Sequence, residues 1–176
     1  MLKSIGIVIA ALIAGVLILA AMKPDTFRVQ RFASIKASPE KIFALINDFK
    51  SWGAWSPWEK KDPAMKRTFG AITSDKGATY AWEGNKDVGQ GSMEITESVP
   101  PSKLTINLNF LKPFEAHNTV NFTLTPAAGG TDITWSMGGT NNFMAKIIQV
   151  FMNMDKMIGA DFETGLANLK AAAEKP

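Results

Sequence analysis

The chain opens on an unbroken apolar run. Ser4–Met22, SIGIVIAALIAGVLILAAM, carries no charge over nineteen positions. At 1.5 Å per residue a helix of that length covers about 28 Å, close to the hydrocarbon thickness of a bilayer. After Pro24 the period falls to two. In DTFRVQRFASIKA, Phe27, Val29, Ala33 and Ile35 share one face while Arg28, Gln30, Ser34 and Lys36 take the other, the pattern of a half-buried strand. Phe32 breaks it by falling among the polar positions. SPEKIFALINDF then places Ser38 as an N-cap and Pro39 at the first helical position, with Ile42, Phe43, Leu45, Ile46 and Phe49 at helical spacing. In SWGAWSPWEKK, Ser56, Pro57 and Glu59 form an S-x-x-E capping pattern, which predicts a second short helix ending before Asp62 and Pro63.

From Met65 to Met137 the turn-forming clusters SDKG, EGNKDVGQG, VPPSK, LKPF and PAAGGTD separate six predicted strands. Three alternate strictly: Leu104, Ile106, Leu108 and Phe110; Val120, Phe122 and Leu124; Ile133, Trp135 and Met137. Such strands belong to an antiparallel sheet with one apolar and one solvated face. In the last third, Phe143, Ile147, Phe151, Met154, Ile158, Phe162, Leu166 and Leu169 fall at steps of three and four, which predicts one long helix over the apolar face, capped by Asn141 or Asn142. Gly159 and Gly165 inside it signal close backbone approach or space left for something else. The tail KAAAEKP is expected to fray.

At 176 residues and 46% hydrophobic composition, the chain divides into an apolar segment at 1–23 and one domain at 24–176. The segment reads as a single-pass membrane anchor; a cleaved signal peptide is the alternative, against which stands the lack of a good A-x-A site before Lys23 and Pro24. Lys3 on one side and Lys23, Arg28 and Arg31 on the other leave the side of the membrane undecided. There is no cysteine, which removes disulfides, thiolate nucleophiles and cysteine-ligated metals. With His117 as the sole histidine, any metal site would consist almost wholly of carboxylates. The net charge of +3 is scattered along the chain and forms no nucleic-acid footprint. No phosphate loop, nucleophile elbow or metal spacing occurs, so neither cofactor nor metal is expected.

The order of strand, two short helices, six strands and long C-terminal helix resembles the helix-grip fold of the SRPBCC, or START-like, superfamily. IKASPEKIFALINDFKSWGAWSPW, YAWEGNKDVGQGSMEI and FMNMDKMIGADFETGLANLK look like that family's first strand and helix pair, a later hairpin, and the closing helix of its membrane-anchored bacterial members. The resemblance covers residues 26–172. It implies an α+β fold in which a curved antiparallel sheet of about seven strands wraps the long helix and leaves a cavity between them. A polyketide cyclase/dehydrase or lipid-transfer type of domain is implied, and this superfamily hosts many activities.

In such a fold Trp52, Trp55 and Trp58, three of the chain's five tryptophans, would close one end. They can be core; Trp58 with Lys60 and Lys61 can form a rim that touches a bilayer; Trp55 can line the cavity mouth. By strand parity His117 and Glu115 fall on the solvated face and Glu94 points outward, so few groups with acid–base capacity face inward. Asn118 falls on the apolar face, where its amide must find a ligand or backbone. The expected ligand-binding set is Trp55, Trp58, Tyr80, Trp82, Asn118, Trp135, Phe151, Met154 and Ile158, around a small hydrophobic guest such as a lipid or polyketide-like molecule. Two other functions use the same fold: a cyclase, dehydrase or hydrolase, which needs an inward acid or base, and a protein-interaction module on the solvated sheet face. Composition says nothing of oligomeric state.

Overall fold

The computed structural model describes residues 2–175, with side chains from residue 4. Lys3, which enters the charge count above, thus has its side chain outside the described residues. A first helix, α1, runs over Leu2–Ala21 and is followed by strand β1 at Thr26–Ile35. Three short helices come next: α2 at Pro39–Asn47, a 3-10 helix at Phe49–Ala54 and α3 at Pro57–Lys61. Six further strands follow, β2 (Lys66–Phe69), β3 (Thr79–Glu83), β4 (Gln90–Val99), β5 (Lys103–Lys112), β6 (Ala116–Ala127) and β7 (Gly130–Thr140). The chain closes on helices α4 (Phe143–Phe151) and α5 (Met154–Ala173).

All seven strands form one antiparallel sheet in the order β1-β7-β6-β5-β4-β3-β2. β1 is the one strand out of sequence order, and it pairs with β7 along its whole length, Thr26 facing Thr140 and Ile35 facing Thr131. α5 packs across β1, with α2, the 3-10 helix and α3 against it. The alternating positions of β5, β6 and β7 are buried as their period demands, apart from half-buried Phe110, and Phe32 is exposed, so β1 keeps its register at the expense of one aromatic.

Four local expectations are corrected. The long terminal periodicity is two helices, because Met152 is extended and Asn153 accepts from Lys156 N, starting α5 anew; a cap residue overrides a hydrophobic period that continues through it. An additional 3-10 helix separates α2 and α3. Ser56 occupies the N-cap of α3 without a side-chain capping bond, and the Glu59 side chain, which would complete a capping box, is bonded to Tyr80 and Arg67 instead. The tail does not fray at once: Ala173 is buried, Glu174 accepts from Lys36 N at 2.8 Å, and Lys41 Nζ donates to Lys175 O.

Candidate functional site

Antiparallel register sets inner-face residues in rows across the sheet. One row contains Arg31, Trp135, Phe122 and Leu104. Two steps toward the α1 end of β1 lies another, Phe27, Gly139, Asn118, Leu108, Met93 and Tyr80. These rows differ in closure. Phe122 and Leu104 are fully buried, whereas Asn118, Leu108 and Met93 keep 7 to 8% of their surface, and Phe27 and Phe110 are only half-buried. The inner face is fully covered at the apolar positions of the first row and loosens slightly toward the second.

Aromatic rings fill the end at the first row. Trp135 stacks on Phe162 of α5 with centroids 4.1 Å apart and planes 8° from parallel. Trp55 meets Trp135 edge-on at 5.5 Å and Phe122 at 6.1 Å, and Trp52 lies 4.8 Å from Trp55. Trp52 donates its indole N–H to Ile46 O and Trp55 to Leu45 O, both at 2.9 Å. Those bonds fix the rings to the end of α2, which is how Trp52 and Trp55 can both be buried so close in sequence. Trp58 is half-buried against Trp135 and Phe162. It packs on the core rather than projecting toward a bilayer, and its neighbour Lys61 is held by Asp161 at 2.7 Å.

Among the described residues two inner-face polar side-chain atoms are buried without a protein partner, Asn118 Oδ1 and Trp135 Nε1. Trp55, Tyr80 and Trp82 of the expected set are engaged by protein partners. Tyr80 donates to Glu59 Oε1 at 2.9 Å, and Arg67 Nε donates to Glu59 Oε2 at 2.6 Å. Burial first, then the Glu59 charge, pushes the Tyr80 hydroxyl above its ordinary range, so it remains a donor. Trp82 donates to Val88 O at 2.9 Å and stacks near Tyr80. Of the apolar candidates, Ile158 is half-buried against the core and Met154 is half-buried on the same helix. Phe151 is 71% exposed on α4, outside the layer, because the helix break turns it away from the line of α5.

The sequence missed Arg31, whose parity places it inward although β1 is an edge strand. Its guanidinium donates to Glu163 Oε1 at 2.7 Å and to both carboxylate oxygens of Asp155 at 3.1 Å, lying flat where a Cβ on Gly159 would stand 1.9 Å from Nη2. These bonds hold Asp155 below the usual carboxylate range and raise the guanidinium further. His117 is exposed on the outer face, with Nδ1 2.7 Å from Asn109 Oδ1, and Glu83, Glu94 and Glu115 are exposed too. Among the described residues no cluster of His, Asp or Glu could hold a metal. Two cavities of about 370 and 160 Å³ lie over the sheet, one lined by Arg28, Thr119, Asn121 and Ser136, the other by Lys66, Thr68, Glu83 and Gln90. Neither lies between sheet and α5.

A seven-stranded antiparallel sheet gripping a terminal helix over an aromatic-packed layer defines a helix-grip protein of the START-like class. Residues 26–174 match the family model described as polyketide cyclase / dehydrase and lipid transport, and the chain belongs to that family. No curated protein matches it in sequence. Among solved structures it is similar to protein CV1439 from Chromobacterium violaceum, with a TM-score of 0.61 and 16% identity over 88% of this chain and 100% of that one. The Aha1 dimer from Colwellia psychrerythraea is alike with a TM-score of 0.57 at 18% identity, over 84% of this chain and 96% of that one. The di-domain ARO/CYC BexL of the BE-7585A biosynthetic pathway gives a TM-score of 0.63 at 12% identity, over 90% of this chain and 53% of that one. At these identities the likeness is one of fold.

Proposed function

We propose that the chain is a membrane-tethered protein that binds a small hydrophobic molecule between the sheet and α5, at the loosened end of the layer. Asn118, Trp82, Trp58, Met154 and Ile158 would surround the guest, with Leu108 and Met93 as floor. Trp55, Tyr80 and Trp135 would form the wall behind it, and α1 would be the tether. The supporting observation is Asn118 Oδ1, buried with no protein partner in a row of apolar side chains. An unpaired buried acceptor costs about 1–3 kcal/mol, and a hydroxyl on an otherwise oily guest would remove that cost. α1 supports the tether: over Ser4–Ala21 its mean hydropathy is 2.8 and only 6% of that window is buried. Binding is favoured over catalysis because His117, Glu83, Glu94 and Glu115 face solvent and Glu59 is taken by Tyr80 and Arg67.

Asn118→Leu tests this directly. The full chain and the variant are purified from membranes in detergent, and co-purifying small molecules are extracted and quantified by mass spectrometry. The wild-type chain is expected to carry a hydroxyl-bearing apolar molecule. The variant should carry about tenfold less, the effect of losing one hydrogen bond of about 1.4 kcal/mol, with no loss of melting temperature. An empty wild-type protein, or equal loads in both, would contradict the proposal.

A further inference from the structure

We infer that α4, with the turn between β5 and β6, forms a second contact with lipid, so that the loosened end of the layer faces the bilayer. This rests on the reading of α1 as a membrane anchor. Four features of the structure lead there. α4 is sharply two-sided: Lys146 and Gln149 share one face, where they bond Asp25 and Asn141, while Phe143, Met144, Ile147, Ile148 and Phe151 occupy the other. No residue of α4 is buried, and Phe143, Met144 and Phe151 are each more than half exposed. An apolar helical face left in water is costly by about 25 cal/mol for each Å².

The second feature is what α4 touches. It packs against α1, and the shielded residues of α1, among those described, are Gly15, Val16 and Ala20, near its C-terminal end. Gly15 lies six residues before Ala21, so the contact reaches about 9 Å into the apolar helix. That is the depth at which interfacial amphipathic helices lie. Third, Leu111 and Phe114 at the β5–β6 turn are also exposed, and that turn joins the strand ends next to Phe110 and Asn118. α4 begins directly after β7, whose last residue pairs with Thr26. The exposed apolar groups therefore gather at the end of the sheet where α1 enters and where the inner face is least closed. Fourth, neither α4 nor Leu111–Phe114 carries an acid, so within these segments no carboxylate has to be desolvated at an acyl surface.

The absence of cysteine allows a clean test. Single cysteines replace Phe151 or Met144 on α4, Leu12 on α1, and Thr123 on the outer sheet face, each labelled with a polarity-sensitive fluorophore. The full chains are reconstituted in phosphatidylcholine–phosphatidylglycerol vesicles containing doxyl-labelled lipid. Labels at 151, 144 and 12 should shift to the blue and be quenched about twofold or more, as buried in acyl chains, while 123 should not. Quenching at 12 with none at 151 and 144 would overturn the lipid contact and leave the anchor standing. Blue-shifted emission at 151 that doxyl lipid fails to quench would also overturn it, by showing a protein cover. No quenching at 12, 151 or 144 would remove anchor and contact together.

Discussion

Two glycines on one helix show how differently the same substitution can act. A Cβ on Gly165 would stand 2.7 Å from Cζ3 of Trp135 and 3.1 Å from Cδ of Pro57. Trp135 cannot yield, being stacked on Phe162 and flanked by Phe122 and Trp55. Overpacking a core costs about 1–3 kcal/mol, and alanine returns about 1 kcal/mol of helix propensity. Gly165→Ala should therefore destabilise by up to about 2 kcal/mol in chemical denaturation. At Gly159 the obstacle is the far end of Arg31, which can swing into solvent. The ion pairs weakened there contribute modestly, and alanine's gain in helix propensity offsets their loss, so Gly159→Ala should be close to neutral. Equal costs at both sites would contradict the account of why these glycines are present.

At the level of elements, α5 is held to β1 by hydrophobic packing and by Arg31. Asp155 has a folded pKa below its ordinary value because Arg31 bonds its ionised form. A depressed carboxyl adds stability above the unfolded pKa and loses it as pH falls through the folded value. The difference in melting temperature between wild type and Asp155→Asn should thus be present at pH 7 and fade below about pH 4. A difference that persists unchanged into strong acid would show that Arg31 does not act through that carboxylate. The element boundaries also mark where sequence reading reached its limit. Strand parity placed His117, Asn118 and Phe122 on the correct faces, because a period of two leaves no freedom once one face is buried. The helical period could not show the break at Met152 and Asn153, since an apolar stripe runs through it and the cap is a single side chain. An unbroken period puts Phe151 among the ligand-binding residues, whereas α4 carries it away from the layer. Arg31 was invisible for a related reason: its inward position is compatible with charge only because Asp155 and Glu163 stand 124 and 132 residues away.

The whole molecule is asymmetric along the strands. At one end Trp52, Trp55, Phe122, Trp135 and Phe162 pack the space between sheet and helix, with Trp135 Nε1 unpartnered; at the other, Asn118, Leu108 and Met93 keep a little exposure and Asn118 Oδ1 lacks a partner. Family membership and fold were legible in residue order and turn composition. The asymmetry was not, because it depends on which rings the helix pair inserts, a matter of three-dimensional packing. The proposed tether and the proposed lipid contact both lie at the open end, so a guest could pass between layer and bilayer without crossing water. The most direct measurement is a crystal structure of the full chain purified from membranes without delipidation. Elongated electron density beside Asn118, within hydrogen-bonding distance of Oδ1 and bordered by Leu108, Met93 and Ile158, is the result this account predicts. Side chains of α5 closed tightly onto Leu108 and Met93, with Asn118 turned to a backbone partner, would contradict it.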